Sequence, residues 1–172
     1  YFMKIKFGTK AETLLRLSGV IETASIMDME ILYLKDWKTD KPAAIKNIEK
    51  KIGSVPLIIR SSSFEEDTSS KSNAGAFESV LNIKIENISE AVETVFNSYQ
   101  SLNANSHVLV QPMLKDVIRS GVAFSHDPNT GAAYRSINWS DSDDTEAVTS
   151  GKSNLKYCQI SSSGKYVPTE HK

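Results

Sequence analysis

The sequence predicts an α+β protein made of two lobes, and three observations lead there. Helical periodicity is concentrated before residue 103, strand-like alternation dominates after it, and a serine-rich polar stretch (residues 61–76) interrupts the first half. The composition can supply the cores: 172 residues, 40% hydrophobic and 24% charged, fit one globular domain or two small lobes. Twenty Lys+Arg against 21 Asp+Glu give a net charge of -1, which removes any global pull toward nucleic acid or an anionic membrane. No apolar run approaches the ~20 residues of a bilayer span, and no opening signal peptide is expected. Cys158 is the one cysteine, so an internal disulfide is excluded, and with only three histidines a structural zinc site is not expected. A reducing, cytoplasmic setting is the expectation. The opening Tyr1-Phe2-Met3 and the polar tail suggest a piece of a longer protein.

Along the chain, Met3-Lys4-Ile5-Lys6-Phe7 alternates like a half-buried strand. A helix follows with Ala11, Leu14 and Leu15 on one side; Thr9 and Glu12 stand at capping-box spacing, and Gly19 offers a left-handed stop. Residues 20–36 are apolar and partly β-branched, which predicts one or two strands. Asp40 and Pro42 open a second helix, striped by Ile45, Ile48 and Ile52 and ended by Gly53. Val55–Ile59 and Val80–Ile85 read as strands, and Ile88–Leu102 as an amphipathic helix behind Asn87 and Glu90. Strands are then expected at 107–114, 120–126, 132–139 and 155–160, with a turn at Asp127-Pro128-Asn129-Thr130-Gly131. The boundary between lobes falls at 106/107, with the lobes meeting near Val110–Leu114.

The run Arg60-Ser61-Ser62-Ser63-Phe64-Glu65-Glu66-Asp67, leading to Asn73-Ala74-Gly75-Ala76-Phe77, is the most unusual stretch. An arginine just past a strand end can grip a phosphate through its planar donor fork, and a glycine loop can bring backbone N–H groups against phosphate oxygens. The alternative is an exposed loop whose arginine pairs with Glu65, Glu66 or Asp67. Lys10 stands in the first turn of its helix, where a cation opposes the helix dipole and an anionic ligand would relieve the conflict. Gly151-Lys152-Ser153 lacks the earlier glycine of a phosphate-binding P-loop. The acidic run 141–146 lacks the glycine and the final glutamate of a calcium loop. His126 reads as part of its turn.

Taken in order, Gly8-Thr9-Lys10-Ala11, Ile59-Arg60-Ser61-Ser62 with Glu66-Asp67, and Ala74-Gly75 before Val80-Leu81-Asn82-Ile83 resemble the nucleotide-binding domain of phosphoenolpyruvate synthases and pyruvate phosphate dikinases. Val108–Met113, Ser120–Phe124 with Asp127–Gly131, and Glu146–Gly151 extend the resemblance over residues 6–151. The resemblance implies an ATP-grasp-like fold with mixed or antiparallel sheets, flanking helices and an incomplete second lobe. It implies that Lys10, Arg60 and the loop Ala74-Gly75-Ala76-Phe77 bind the ATP phosphates, and that Gln111 and Met113 on the joining strand contact adenine. Glu146 is the candidate for magnesium, and no residue of this chain is expected to act as a catalytic nucleophile. The implied parent enzyme uses Mg-ATP to phosphorylate a histidine on a separate domain, which passes the group to pyruvate. Related acceptors (a glucan, an antibiotic, a polysaccharide intermediate) and a non-catalytic binding module are the alternatives. The chain alone is expected to bind nucleotide weakly and not to turn over.

Overall fold

A computed structural model describes residues 6–63, 67–68, 71–72, 78–144, 147–148, 150, 155–161 and 163–167. Within it the chain divides into two compact units, Tyr1–Met113 and Leu114–Lys172. The class is α+β, as expected, and its two four-stranded antiparallel sheets are consistent with the ATP-grasp-like expectation.

In the first unit, helix α1 (Lys10–Leu17) starts at a complete capping box: the Thr9 side chain accepts from the Glu12 N–H while the Glu12 carboxylate accepts from the Thr9 N–H. Strand β1 (Glu30–Tyr33) runs directly into α2 (Leu34–Thr39), and α3 (Lys41–Ile52) follows. Asp40 caps α3 through the Ala43 N–H, Pro42 stands in its first turn, and Gly53 ends it at φ 87°. After β2 (Leu57–Ser61) come a short pair, β3 (Asp67–Thr68) and β4 (Lys71–Ser72), then β5 (Ser79–Ile83), a 3-10 turn at Ile85–Asn87, α4 (Ile88–Asn97) and β6 (His107–Pro112).

The main sheet has the order β1-β6-β2-β5, so β6 and β2 are its inner strands. Leu57, Ile59, Val108 and Val110 point to one face, where Ile48 of α3 and Ile88, Val92 and Val95 of α4 bury them completely. Each fully buried aliphatic side chain of this kind contributes about 1.5–3 kcal/mol. The opposite face carries a smaller cluster, Leu109 of β6 with Ala11 of α1 and Met29. Between the pairs Leu57↔Ile83 and Ile59↔Val80, β5 holds one residue more than β2. Asn82 absorbs this bulge at φ 61°, a left-handed conformation that asparagine tolerates better than most residues.

The second unit is a meander: β7 (Ser120–Phe124), β8 (Tyr134–Ser140), β9 (Lys156–Ser161) and β10 (Tyr166–Val167), ordered β10-β9-β8-β7. Gly121 lies opposite Trp139, and a Cβ there would stand 2.6 Å from the Asn138 carbonyl oxygen and 2.9 Å from the Trp139 Cβ. The turn after β7 is tied by Asp127. Its Oδ1 accepts from the Asn129 N–H, the Thr130 N–H and the Thr130 hydroxyl, and its Oδ2 accepts from Gln159 Nε2 on β9. Hydrogen bonds from Thr130 chiefly hold the Asp127 carboxyl below its ordinary value of 3.8. Asp141, bridged by Lys156 and Arg119, is lowered as well, mainly by the Lys156 hydrogen bond.

Several sequence expectations require correction. Lys6 and Phe7 belong to no strand, and residues 3–5 lie outside the described residues. Helix α1 ends without a left-handed glycine, because Ser18 stays in the right-handed helical region and the N–H groups of Val20 and Ile21 close onto the Leu17 carbonyl. Only 30–33 of the segment 20–36 is a strand; from Leu34 the chain turns helical, so that Leu34 and Trp37 reach the core together. Helix α4 stops at Asn97, where the Ser98 N–H is shared between the Thr94 and Val95 carbonyls, and Asn87 makes no side-chain cap. The first compact unit runs on to Met113, and its β6 is hydrogen-bonded between β1 and β2.

Candidate functional site

Arg60 does not follow a strand end. It lies within β2, paired with Leu109 on one side and Ser79 on the other. Directly opposed residues of an antiparallel pair share a face. Arg60 therefore faces the same way as Leu109, toward the side of the sheet that carries α1, and away from the main core. Its Nε is buried and has no hydrogen-bond partner among the described residues. A buried, unpartnered donor on a cation is costly unless an acceptor joins it, and it is the strongest indication of a ligand in this unit.

Gln111, paired with Ile58, lies two residues along β6 from Leu109 and so projects from that same face; it is buried. Met113 leaves the end of the strand, its N–H donating to the Pro56 carbonyl at 2.8 Å. Lys10 begins α1, and its Nζ donates to the carbonyl of Ser61 at 3.4 Å. Lys10, Arg60 and Gln111 thus belong to one side of one sheet. Ala74, Gly75, Ala76 and Phe77 lie outside the described residues, as do Glu65, Glu66 and Glu146. Among the described residues no group of three or more His, Cys, Asp or Glu is arranged to hold a metal ion. Nor is any helix among them long and apolar enough to cross a membrane.

Sequence reasoning missed the polar cluster that joins α1 to β2. His107, buried at the start of β6, has Nδ1 3.0 Å from the Asn105 carbonyl, 2.9 Å separates its Nε2 from the Thr9 hydroxyl, and Ser62 Oγ lies 3.3 Å from the same nitrogen. Ser62 Oγ accepts from the Ala11 N–H at 2.9 Å. The Tyr99 hydroxyl accepts from the Ser62 N–H at 2.8 Å and donates to the His107 carbonyl at 2.6 Å. Thr9, Ser62, Tyr99 and His107 also line an open groove of about 530 Å³, together with Glu12 and Tyr33. No local signal reveals this cluster, because Thr9 and His107 are 98 residues apart.

The family model for the pyruvate phosphate dikinase AMP/ATP-binding domain matches residues 29–162. That span includes Arg60, residues 74–77, Gln111, Met113 and Glu146, and begins after Lys10. No curated protein matches the chain. Among solved structures it is similar to one described as the crystal structure of PH1788 from Pyrococcus horikoshii Ot3, at 18% identity and a TM-score of 0.48. The similarity covers 87% of this chain and 56% of that one, so the chain spans little more than half of that relative's length.

Proposed function

The chain belongs to the family of the pyruvate phosphate dikinase AMP/ATP-binding domain, and on that premise we propose that Lys10 and Arg60 bind the phosphates of ATP. The loop Ala74-Gly75-Ala76-Phe77 supplies backbone donors to the same phosphates, and Gln111 and Met113 contact adenine. The observation that carries this reading is the buried, unpartnered Nε of Arg60 on the side of the sheet reached by α1. A triphosphate oxygen offers the acceptor that this donor lacks.

In the same reading the full-length protein is a phosphotransferase of the phosphoenolpyruvate synthase type. It uses Mg-ATP to phosphorylate a histidine on a separate domain, which then serves a pyruvate-binding domain. Phosphoryl transfer depends on positioning and charge neutralisation, so this part of the enzyme contributes cations and backbone donors rather than a nucleophile. A loop folding over the phosphates excludes competing water. Magnesium is assigned no ligand among the described residues.

The test is an ATP titration of the chain followed by amide NMR, comparing the parent with Arg60→Ala. The parent should show shifts at Lys10, Arg60 and Gly75, and Arg60→Ala should weaken binding by about tenfold or more, the scale of one lost charge-assisted hydrogen bond. Backbone pairing of β2 does not need the guanidinium, so the variant should remain folded. Equal affinity in variant and parent would refute the assignment.

A further inference from the structure

We propose that His107 is a positioning residue for the triphosphate site, a role that rests on the ATP reading above: its Nε2 pins the start of α1 to the end of β2, and so sets Lys10 against the strand that carries Arg60. The hydrogen-bond pattern assigns the tautomer. The Asn105 carbonyl can only accept, so Nδ1 of the neutral ring carries the proton and Nε2 is the acceptor. The Thr9 hydroxyl, 2.9 Å away, is the well-placed donor to it. Ser62 completes the joint from the other side, its Oγ 3.3 Å from Nε2 while accepting the Ala11 N–H.

The residues flanking this joint are the proposed phosphate ligands. Lys10 stands between Thr9 and Ala11, both tied to the cluster, and Arg60 is two residues before Ser62. Thr9, Ala11, Ser62 and His107 are all at most 4% exposed. Tyr99, just beyond the end of α4, holds the backbone that carries the ring through the His107 carbonyl. Among the described residues α1 is otherwise attached to the sheet by the Lys10 Nζ hydrogen bond to the Ser61 carbonyl and by a small apolar cluster, Ala11, Met29 and Leu109 with Leu14, Ile26 and Ile31 at its margin. The apolar contact is non-directional, whereas a hydrogen-bonded acceptor sets the helix's position along the sheet. An ångström of slip would separate an ammonium from a phosphate oxygen that the arginine still holds.

The experiment compares ATP titrations of the parent chain, His107→Leu, His107→Gln, Thr9→Val and Arg60→Ala, at a temperature where urea melts show each protein folded. His107→Leu removes the acceptor and should weaken ATP by about tenfold, within the range of couplings between residues of one network. His107→Gln places an amide oxygen near the lost nitrogen and should recover most of that affinity. Thr9→Val removes the donor and, combined with His107→Leu, should cost no more than the worse single change. Equal affinity in His107→Leu and the parent, while Arg60→Ala still loses binding, overturns this inference alone. So does a His107→Gln variant as weak as His107→Leu. If His107→Leu does not fold, His107→Gln against Thr9→Val decides: the proposal fails if Thr9→Val binds like the parent. An Arg60→Ala variant that binds as well as the parent, or a parent without ATP-dependent shifts, removes the ATP reading and this inference with it.

Discussion

The two units are built on four-stranded antiparallel sheets of similar size but are held together differently. The first covers one face of its sheet with α2, α3 and α4 and buries a continuous apolar core from Leu32 to Val110. The second has no helix among its described residues, and Ala147 is its one buried apolar residue among them. Its order comes from strand pairing, from the Asp127 turn and from the Asp141 bridges. A sheet backed by helices gains specificity from packing, whereas an uncovered sheet must take it from turn geometry and polar links. The candidate site belongs to the packed unit, where side chains such as Arg60 can be held at fixed angles on an inner strand.

The largest expected contrast lies in large-to-small substitutions. Ile59→Ala, in the buried core of the first unit, should cost about 2–5 kcal/mol in urea unfolding. Ile137→Ala, half-buried in β8, should cost less than about 2 kcal/mol. Trp37 and Trp139 fall one in each unit, so single-tryptophan variants can assign each loss. Equal costs at Ile59 and Ile137 would break the contrast. Next comes Gly121→Ala, which drives a Cβ into the backbone of β8 and should destabilise the second sheet by about 1–3 kcal/mol, read from Trp139 emission. The smallest effect is acid sensitivity. Asp127 and Asp141 have lowered native pKa values, so their stabilisation is complete above the ordinary carboxylate value of 3.8 and is lost as pH falls below it through those lowered values. Trp139 emission should change in that window, and Asp127→Asn, which keeps a turn acceptor but has no charge to lose, should reduce the change. An unaltered acid profile would show that the turn carboxylate plays no part.

Local chemistry was the legible part of the sequence. The Thr9–Glu12 capping box, the Asp40-Pro42 start and Gly53 end of α3, and the places of β2, β5 and β6 to β9 follow from spacing within a few residues. The errors arose where tertiary contacts overrule local preference. Residues 20–36 read as one or two strands, yet Leu34 and Trp37, three apart, enter the core only if the chain becomes helical after Tyr33. Helix α4 gives up its last expected turn because the Tyr99 hydroxyl is committed to Ser62 and His107. At the site, the residue types were readable from the motif, but Arg60 was expected one step outside the strand, and its buried Nε depends on pairing with both neighbours. His107 was invisible for a simpler reason, since everything its Nε2 touches lies far away in sequence.

The alternation of β2 has a consequence for variation in this chain. Inserting or deleting one residue between Pro56 and Arg60, with the pairing to β6 otherwise kept, would rotate the guanidinium into the compartment that Val92 and Val95 now fill. Such an indel would cost twice, once for a charge stranded in hydrocarbon and once for the loss of the proposed phosphate contact. Two residues gained or lost would restore the parity, so length changes in this stretch are expected to be tolerated only in even steps.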